Sequence, residues 1–292
     1  MAGRAAVRPG AVLDVRRTLA GWVRAAHAFP LAMVMALTAL VGLASAVDDF
    51  DGVRFGLMLL GMLAAQLAIG WTNDYLDRDS DARHQPWKPV PSGTVDPRLL
   101  PWASAVAILV AVADGVALGP KPLALLIAGL GAGLAYNLGF KASRFSFVPF
   151  VVAFAALPLY VWTALDVFRD EFLWLYFVAW PLALAVHVAN VLPDREGDEA
   201  AGRLTIAVLL GEWWSGSAIA AGLVLPMLFA AISVFWLDYD RSYLAARSAY
   251  LLVGMAAVYI FTRRRSRDDL VWVFRLVCLA GVIFVTGWLV AV

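Results

Sequence analysis

The sequence predicts an all-α membrane protein with nine transmembrane helices, and three observations carry that prediction. Apolar residues make up 62% of the 292 residues and charged residues only 15%, with a mean hydropathy of +0.78. Soluble globular domains average about 45–50% and about 25%. Nine apolar runs approach the roughly 20 residues needed to cross a hydrocarbon core about 30 Å thick. Lysine and arginine are divided unequally between alternate loops, as a fixed orientation in a bilayer requires. The net charge of +1 gives no reason to expect a nucleic-acid partner.

The runs lie near 27–47, 53–72, 100–118, 121–139, 147–165, 172–193, 213–236, 245–262 and 270–291. The first two are separated by the acidic residues Asp48, Asp49 and Asp51, and the second and third by a long polar, proline-rich loop from Asn73 to about Leu99. Only Gly119–Pro122 (GPKP) divides the third from the fourth, which predicts a tight helical hairpin. Lys141 and Arg144 follow the fourth run; Asp166, Asp170 and Glu171 follow the fifth; DREGDEAAGRLT, Asp194 to Thr205, follows the sixth. Asp238 and Asp240 close the seventh, and Arg263, Arg264, Arg265 and Arg267 separate the eighth from the ninth.

With a cytoplasmic N-terminus, seventeen basic residues from Arg4 and Arg8 to Arg267 fall on the inner side, against Arg54, Lys121, Arg169, Arg241 and Arg247 outside. The expected protein is therefore a multi-pass integral membrane protein, in the cell membrane if the chain is prokaryotic, with both long polar loops cytoplasmic. The first 26 residues are basic and lack an apolar core with a small-residue cleavage site, so no removable signal peptide is expected. Residues 1–292 are read as a single membrane-embedded domain. Cys278 is the single cysteine, a small filler in the ninth run.

The two inner loops carry one spacing twice. NDYLDRDSD, Asn73 to Asp81, and NVLPDREGD, Asn190 to Asp198, both read N-x3-D-R-x2-D after an apolar run, four spans apart. The repetition suggests an internal duplication of two four-helix halves with a ninth helix added. If each helix continues past the membrane, Asn73, Asp77 and Asp81, with Asp74 beside them, share one face, and Asn190, Asp194 and Asp198 repeat that face. Asp79 points away, to solvent.

Unit charges about 5–6 Å apart repel by roughly 3 kcal/mol at an effective dielectric near 20, and a helix C-terminus disfavours anions further. Something positive belongs between these carboxylates. Oxygen donors without a cysteine or histidine set favour a hard cation, and Mg²⁺ completes its shell with substrate phosphates. Arg78, Lys88, Lys141, Arg144 and Arg203 are placed to take the remaining phosphate oxygens. Acidic residues at a helix end ordinarily only solvate it, but two stretches of identical spacing on one membrane face favour the metal reading. His27 and His84 read as surface or packing residues, and Trp213 and Trp214 as interfacial belt. Asp114 and Arg275, inside apolar runs, are functional candidates by default, with a structural ion pair as the alternative.

These stretches resemble the motifs of the UbiA superfamily of intramembrane prenyltransferases. NDYLDRDSD is similar to NDxxDxxxD and DREGD to DxxxD. KPVPSG, Lys88 to Gly93, resembles the family's RPLPSG segment, and YNLGFK, Tyr136 to Lys141, its tyrosine-to-lysine element at the fourth helix end. AAGRLTIAVLLG, Ala200 to Gly211, resembles the stretch after the second motif, and WVRAAHAFP loosely matches the start of the first helix. The resemblance implies a ring of nine helices around a central cavity opening sideways to lipid. It implies Mg²⁺-dependent transfer of a prenyl group from an isoprenyl diphosphate to a lipophilic, often aromatic acceptor, with release of diphosphate. By motif match Asn73, Asp74, Asp77, Asp81, Asp194 and Asp198, with Asn190, would hold the metals, and the aspartates would serve catalysis. Lys88, Lys141 and Arg144, with Arg78, Arg203 and Tyr136, would contact the diphosphate. Where some aromatic-acceptor members carry an additional aspartate before the second motif, this chain has His187 and Asn190.

The chemistry suits such a site. An allylic diphosphate ionises when its leaving group is neutralised, and the allylic cation survives only where water is excluded. A terpene cyclase of the same type is the alternative. A cation-coupled transporter is a more distant one, because transporter sites lie near the midplane and these acidic clusters lie at one face.

Overall fold

The computed structural model describes residues 15–46, 50–237, 239–240, 242–264 and 266–291. Arg4, Arg8, Asp48, Asp49, Asp238, Arg241 and Arg265 of the charge pattern lie outside the described residues. Among those described, nine helices are long and apolar enough to cross a membrane. They are α2 (Ala28–Ser45), α3 (Gly52–His84), α4 (Leu100–Leu118), α5 (Pro120–Leu138), α6 (Phe147–Leu165), α7 (Leu175–Val191), α9 (Ile206–Ser233), α10 (Ser242–Arg263) and α11 (Arg267–Ala291). Two further helices, α1 (Val15–Ala25) and α8 (Arg195–Ala200), are short.

The sequence gives no separate helix before the first span, and α1 is an addition. Its apolar residues Leu19, Trp22 and Val23 repeat at helical spacing between Arg16, Arg17 and Arg24. Leu19 and Val23 are exposed, as on a helix lying in the membrane interface. The expected hairpin is present: Gly119 ends α4 with φ 119° and α5 begins at Pro120.

Two spans depart from single straight helices. The sixth run was expected to continue helically through Asp198. Instead α7 stops at Val191, Leu192–Asp194 forms one 3₁₀ turn, and α8 starts afresh at Arg195. Pro193 lacks an N–H and its ring crowds the carbonyl four residues back, which disfavours regular α-helix at this point. The i, i+4, i+8 geometry expected for Asn190, Asp194 and Asp198 is therefore broken after Asn190. In α9, Gly211 takes φ 67° and ψ 178°, a conformation open to glycine, and the first turn folds away from the span.

Helix neighbours run α2–α3–α5–α6–α7–α11 and back to α2, a closed ring. Outside it, α4 packs on α3 and α5, α9 on α7, and α10 on α11. The end remote from the acidic motifs is fastened by side-chain hydrogen bonds. Arg54 donates to the carbonyls of Ala164 (2.6 Å) and Leu118 (3.4 Å), satisfying two helix C-termini at once. Trp162 donates to Ser45 Oγ at 2.9 Å and Tyr160 to the Met58 carbonyl at 2.9 Å. At the other end α3, 33 residues and therefore about 50 Å long, is longer than the roughly 30 Å of a hydrocarbon core.

Candidate active site

The inner end of α3 presents its acidic face in a definite order. At about 100° per residue, Asn73, Asp77, Asp81 and Asp74 follow one another across about 100° of the helix surface. The two edges of that arc meet different partners. Lys141, from the 3₁₀ turn after α5, donates to Asp77 Oδ1 at 2.5 Å and Asn73 Oδ1 at 3.3 Å. Lys88, from the loop after α3, lies 2.8 Å from Asp81 Oδ2 and 3.8 Å from Asp74 Oδ1. His27 Nε2 stands 3.1 Å from Asp74 Oδ1 and 3.2 Å from Asn73 Nδ2.

The position of His27 is enforced by backbone. It has φ 56° and ψ 66° at the start of α2, a region that non-glycine residues seldom occupy. At Gly70, one turn before Asn73, an added Cβ would lie 2.8 Å from the backbone of Ala26. The α1–α2 junction thus rests directly on α3. Trp22 crosses Trp71 edge-on at 5.3 Å, and Arg24 donates to the Trp87 carbonyl at 3.2 Å, fastening α1 to the loop that carries Lys88. His27, read from the sequence as a packing residue, touches two motif residues; no local sequence signal marks that contact.

The second rim is built from α7, its 3₁₀ turn and α8. Asp198 is buried and accepts from Arg203 at 3.0 Å. Asp194 is exposed and paired with Arg267 of α11 at 2.6 Å, a residue sequence reasoning did not single out. Asn190 is half-buried. The two rims are joined at the turn after α5 that carries Lys141. A backbone bond from Leu204 N–H to the Ala142 carbonyl, 3.3 Å, stitches the loop carrying Arg203 to the turn carrying Lys141. His187, fully buried, stacks edge-on against Tyr136 at 6.1 Å and lies 3.1 Å from Ser146 Oγ.

Two expected cations face elsewhere. Arg78 donates to the Tyr75 carbonyl at 2.8 Å and covers the Tyr75 ring at 4.6 Å, while exposed Arg144 lies over Phe145 at 4.9 Å. Asp79 is 83% exposed, on the solvent side as expected. Arg275 does not pair with Asp114; it stacks on Phe29 and Trp272.

The charge problem posed by the motifs has an internal answer: every motif aspartate except Asp79 has a lysine, arginine or histidine from outside its motif within 4 Å. Among the described residues no three carboxylates or imidazoles converge as a ready-made metal site. The donors nonetheless fit a hard divalent cation, being all oxygen. Asp74 Oδ2 is buried without a hydrogen-bond partner, an arrangement that costs free energy unless something cationic answers it. Between α2, α6, α7 and α11 runs an apolar cavity of about 70 Å³ lined by Met33, Leu37, Phe154, Val186, Cys278 and Val282 among others. Its lining is apolar throughout.

A ring of membrane helices with two facing acidic rims at one end of an apolar cavity defines an intramembrane transferase of the prenyl-transferring class. The chain belongs to the UbiA prenyltransferase family, whose model matches residues 32–290. It is 28% identical over 244 residues to the digeranylgeranylglyceryl phosphate synthase of Natronomonas pharaonis, covering 80% of this chain and 86% of that one. Over 180 residues it is 31% identical to the bacteriochlorophyll synthase 33 kDa chain of Cereibacter sphaeroides, covering 56% and 58%. Among solved structures, a UbiA homologue from Aeropyrum pernix superposes with TM-score 0.68 at 18% identity over 89% of this chain and 97% of that one. The Archaeoglobus fulgidus homologue bound to GPP and Mg²⁺ superposes with TM-score 0.66 at 14% identity, covering 91% and 99%.

Proposed function

We propose that the protein transfers a prenyl group from an isoprenyl diphosphate to a lipophilic acceptor at these rims, with Mg²⁺ as the divalent ion. The observation that carries the reading is the joining of both motif segments at the turn after α5, where Leu204 N–H bonds the Ala142 carbonyl, with a basic side chain beside each carboxylate. Asn73, Asp74, Asp77, Asp81, Asn190, Asp194 and Asp198 would hold the ion. When bound, it supplies the positive charge that makes diphosphate a leaving group. Relatives named for digeranylgeranylglyceryl phosphate and bacteriochlorophyll synthesis, and a fold neighbour bound to GPP and Mg²⁺, support the reading.

The chain's own residues do the rest. Lys88, Lys141, Arg203 and Arg267 give up their carboxylates and turn to phosphate oxygens, so that the site exchanges one set of charge pairs for another with little change in net charge. Arg78 and Arg144, stacked on neighbouring rings, serve at the periphery. Tyr136 presents an aromatic face where allylic charge develops. The apolar cavity receives the prenyl tail, and its apolar lining keeps water from the carbocation. The distribution of arginine and lysine puts the N-terminus and both rims on the cytoplasmic side.

The test is Mg²⁺-dependent release of pyrophosphate together with a prenylated product, from membranes supplied with prenyl diphosphates and candidate acceptors. Asp77→Ala and Asp194→Ala are expected to lose at least about 100-fold in rate; full activity in either would overturn the assignment. Product formed at full rate with no acceptor present would identify a cyclase instead.

A further inference from the structure

Asp74 is the most buried of the motif aspartates, 1% exposed, and its two oxygens have different surroundings. Oδ1 lies 3.1 Å from His27 Nε2, with Lys88 Nζ further off at 3.8 Å. Oδ2 is buried without a hydrogen-bond partner. Lys88 is committed to Asp81, at 2.8 Å. Among the described residues the imidazole is therefore the one side chain within hydrogen-bond distance of this carboxylate, and it holds a single oxygen.

The other contact of His27 decides what Nε2 carries. It also lies 3.2 Å from Asn73 Nδ2, and Asn73 turns its oxygen to Lys141, so the amide N–H faces the ring. One nitrogen cannot donate to Asp74 and accept from Asn73 at once. The carboxylate, being charged, is the stronger partner, so Nε2–H donates to Asp74 Oδ1. The chain keeps this contact against a backbone cost. His27 has φ 56°, a conformation that persists where the surroundings over-determine it. Those surroundings are present: Ala26 is pressed on Gly70 of α3, one turn before Asn73, and Trp22 crosses Trp71 beside them. Strain of this kind collects at functional sites, and here the side chain it orients ends on a motif carboxylate.

A carboxylate tied at one oxygen meets a cation with the other. Mg²⁺ demands near-ideal octahedral geometry, which a ligand oxygen of fixed direction serves better than a carboxylate free to turn. Hydrogen-bond partners behind a ligating carboxylate set metal affinity in this way. We infer that His27 is a positioning residue for the divalent ion: by occupying Asp74 Oδ1 it makes Oδ2 the oxygen available to the metal. The inference rests on the transferase reading above and adds to it a residue outside both motifs.

Mn²⁺, which suits the same oxygen donors, is the probe. Its binding to the purified full chain in phosphatidylcholine nanodiscs is read from the electron paramagnetic resonance signal of the free ion, with no prenyl diphosphate present. His27→Gly removes the imidazole and suits the left-handed backbone; it should weaken Mn²⁺ binding about tenfold to a hundredfold. His27→Gln, whose amide N–H reaches toward the same oxygen, should recover part of the loss. The decisive comparison is between backgrounds. In Asp74→Asn, His27→Gly should change affinity less than about twofold, whereas in Asp194→Asn it should cost the full factor. Unchanged Mn²⁺ affinity in His27→Gly overturns the proposal. So does a loss of equal size in both backgrounds, which marks a general loosening of the rim. Should His27→Gly not fold, His27→Asn, which tolerates the same backbone and is too short to reach Asp74, takes its place with the same expectations. A wild type that binds no Mn²⁺ refutes the reading of the rims, an outcome separable from any difference among the His27 variants.

Discussion

Replacing Lys141 by methionine separates the two tasks assigned to the rim cations. The ammonium lies 2.5 Å from Asp77 and the pair is 27% and 28% exposed, so its attraction is partly screened and amounts to about 1 kcal/mol. Its removal also takes one positive charge away from a divalent ion's position, on the order of a further 1 kcal/mol in a well-screened setting. Together these make about 2 kcal/mol, so Mg²⁺ alone should bind Lys141→Met roughly thirtyfold more tightly than wild type. Turnover should move the opposite way, falling on the order of 100-fold, because the departing diphosphate loses a donor. Thermal unfolding in detergent across an Mg²⁺ titration without diphosphate reads the first effect, and pyrophosphate release from a prenyl diphosphate reads the second. Weaker or unchanged Mg²⁺ binding in the variant would refute the idea that lysine and metal compete for Asp77.

Two further outcomes follow from packing. Gly70→Ala puts a Cβ 2.8 Å from the Ala26 backbone and should cost about 1–3 kcal/mol in thermal unfolding with a fall in turnover as His27 leaves Asn73 and Asp74, while Gly56→Ala, with nothing within 4 Å, serves as the neutral control. Gly281→Val fills cavity wall where an added Cβ meets nothing within 4 Å, and competition between prenyl diphosphates should show kcat/KM shifting toward shorter chains by about tenfold, the scale set by a few displaced methylenes.

The spans and the rims were legible in the sequence for different reasons. Hydropathy over twenty residues is insensitive to detail, so α4 and α6 begin and end where their apolar runs do. The acidic face of α3 followed from helical spacing alone. The second rim did not, since the 3₁₀ turn Leu192–Asp194, which contains Pro193, breaks the α-helical register between Asn190 and the two aspartates. Helix α1 escaped because eleven residues interleaved with arginine score poorly for hydropathy; only their amphipathic period marks them. Arg267 and His27 could not be found at all from spacing, because their contacts join residues 73 and 47 positions apart. Arg78 and Arg144 show the converse: the right charge in the right loop, turned by a neighbouring ring to another direction.

The bonds from Arg54, Tyr160 and Trp162 share one end of the ring. They fasten α3 to α6, α6 to α2 and α3 to the end of α4 at the end remote from the carboxylates, so the bundle is held together where the chemistry is not.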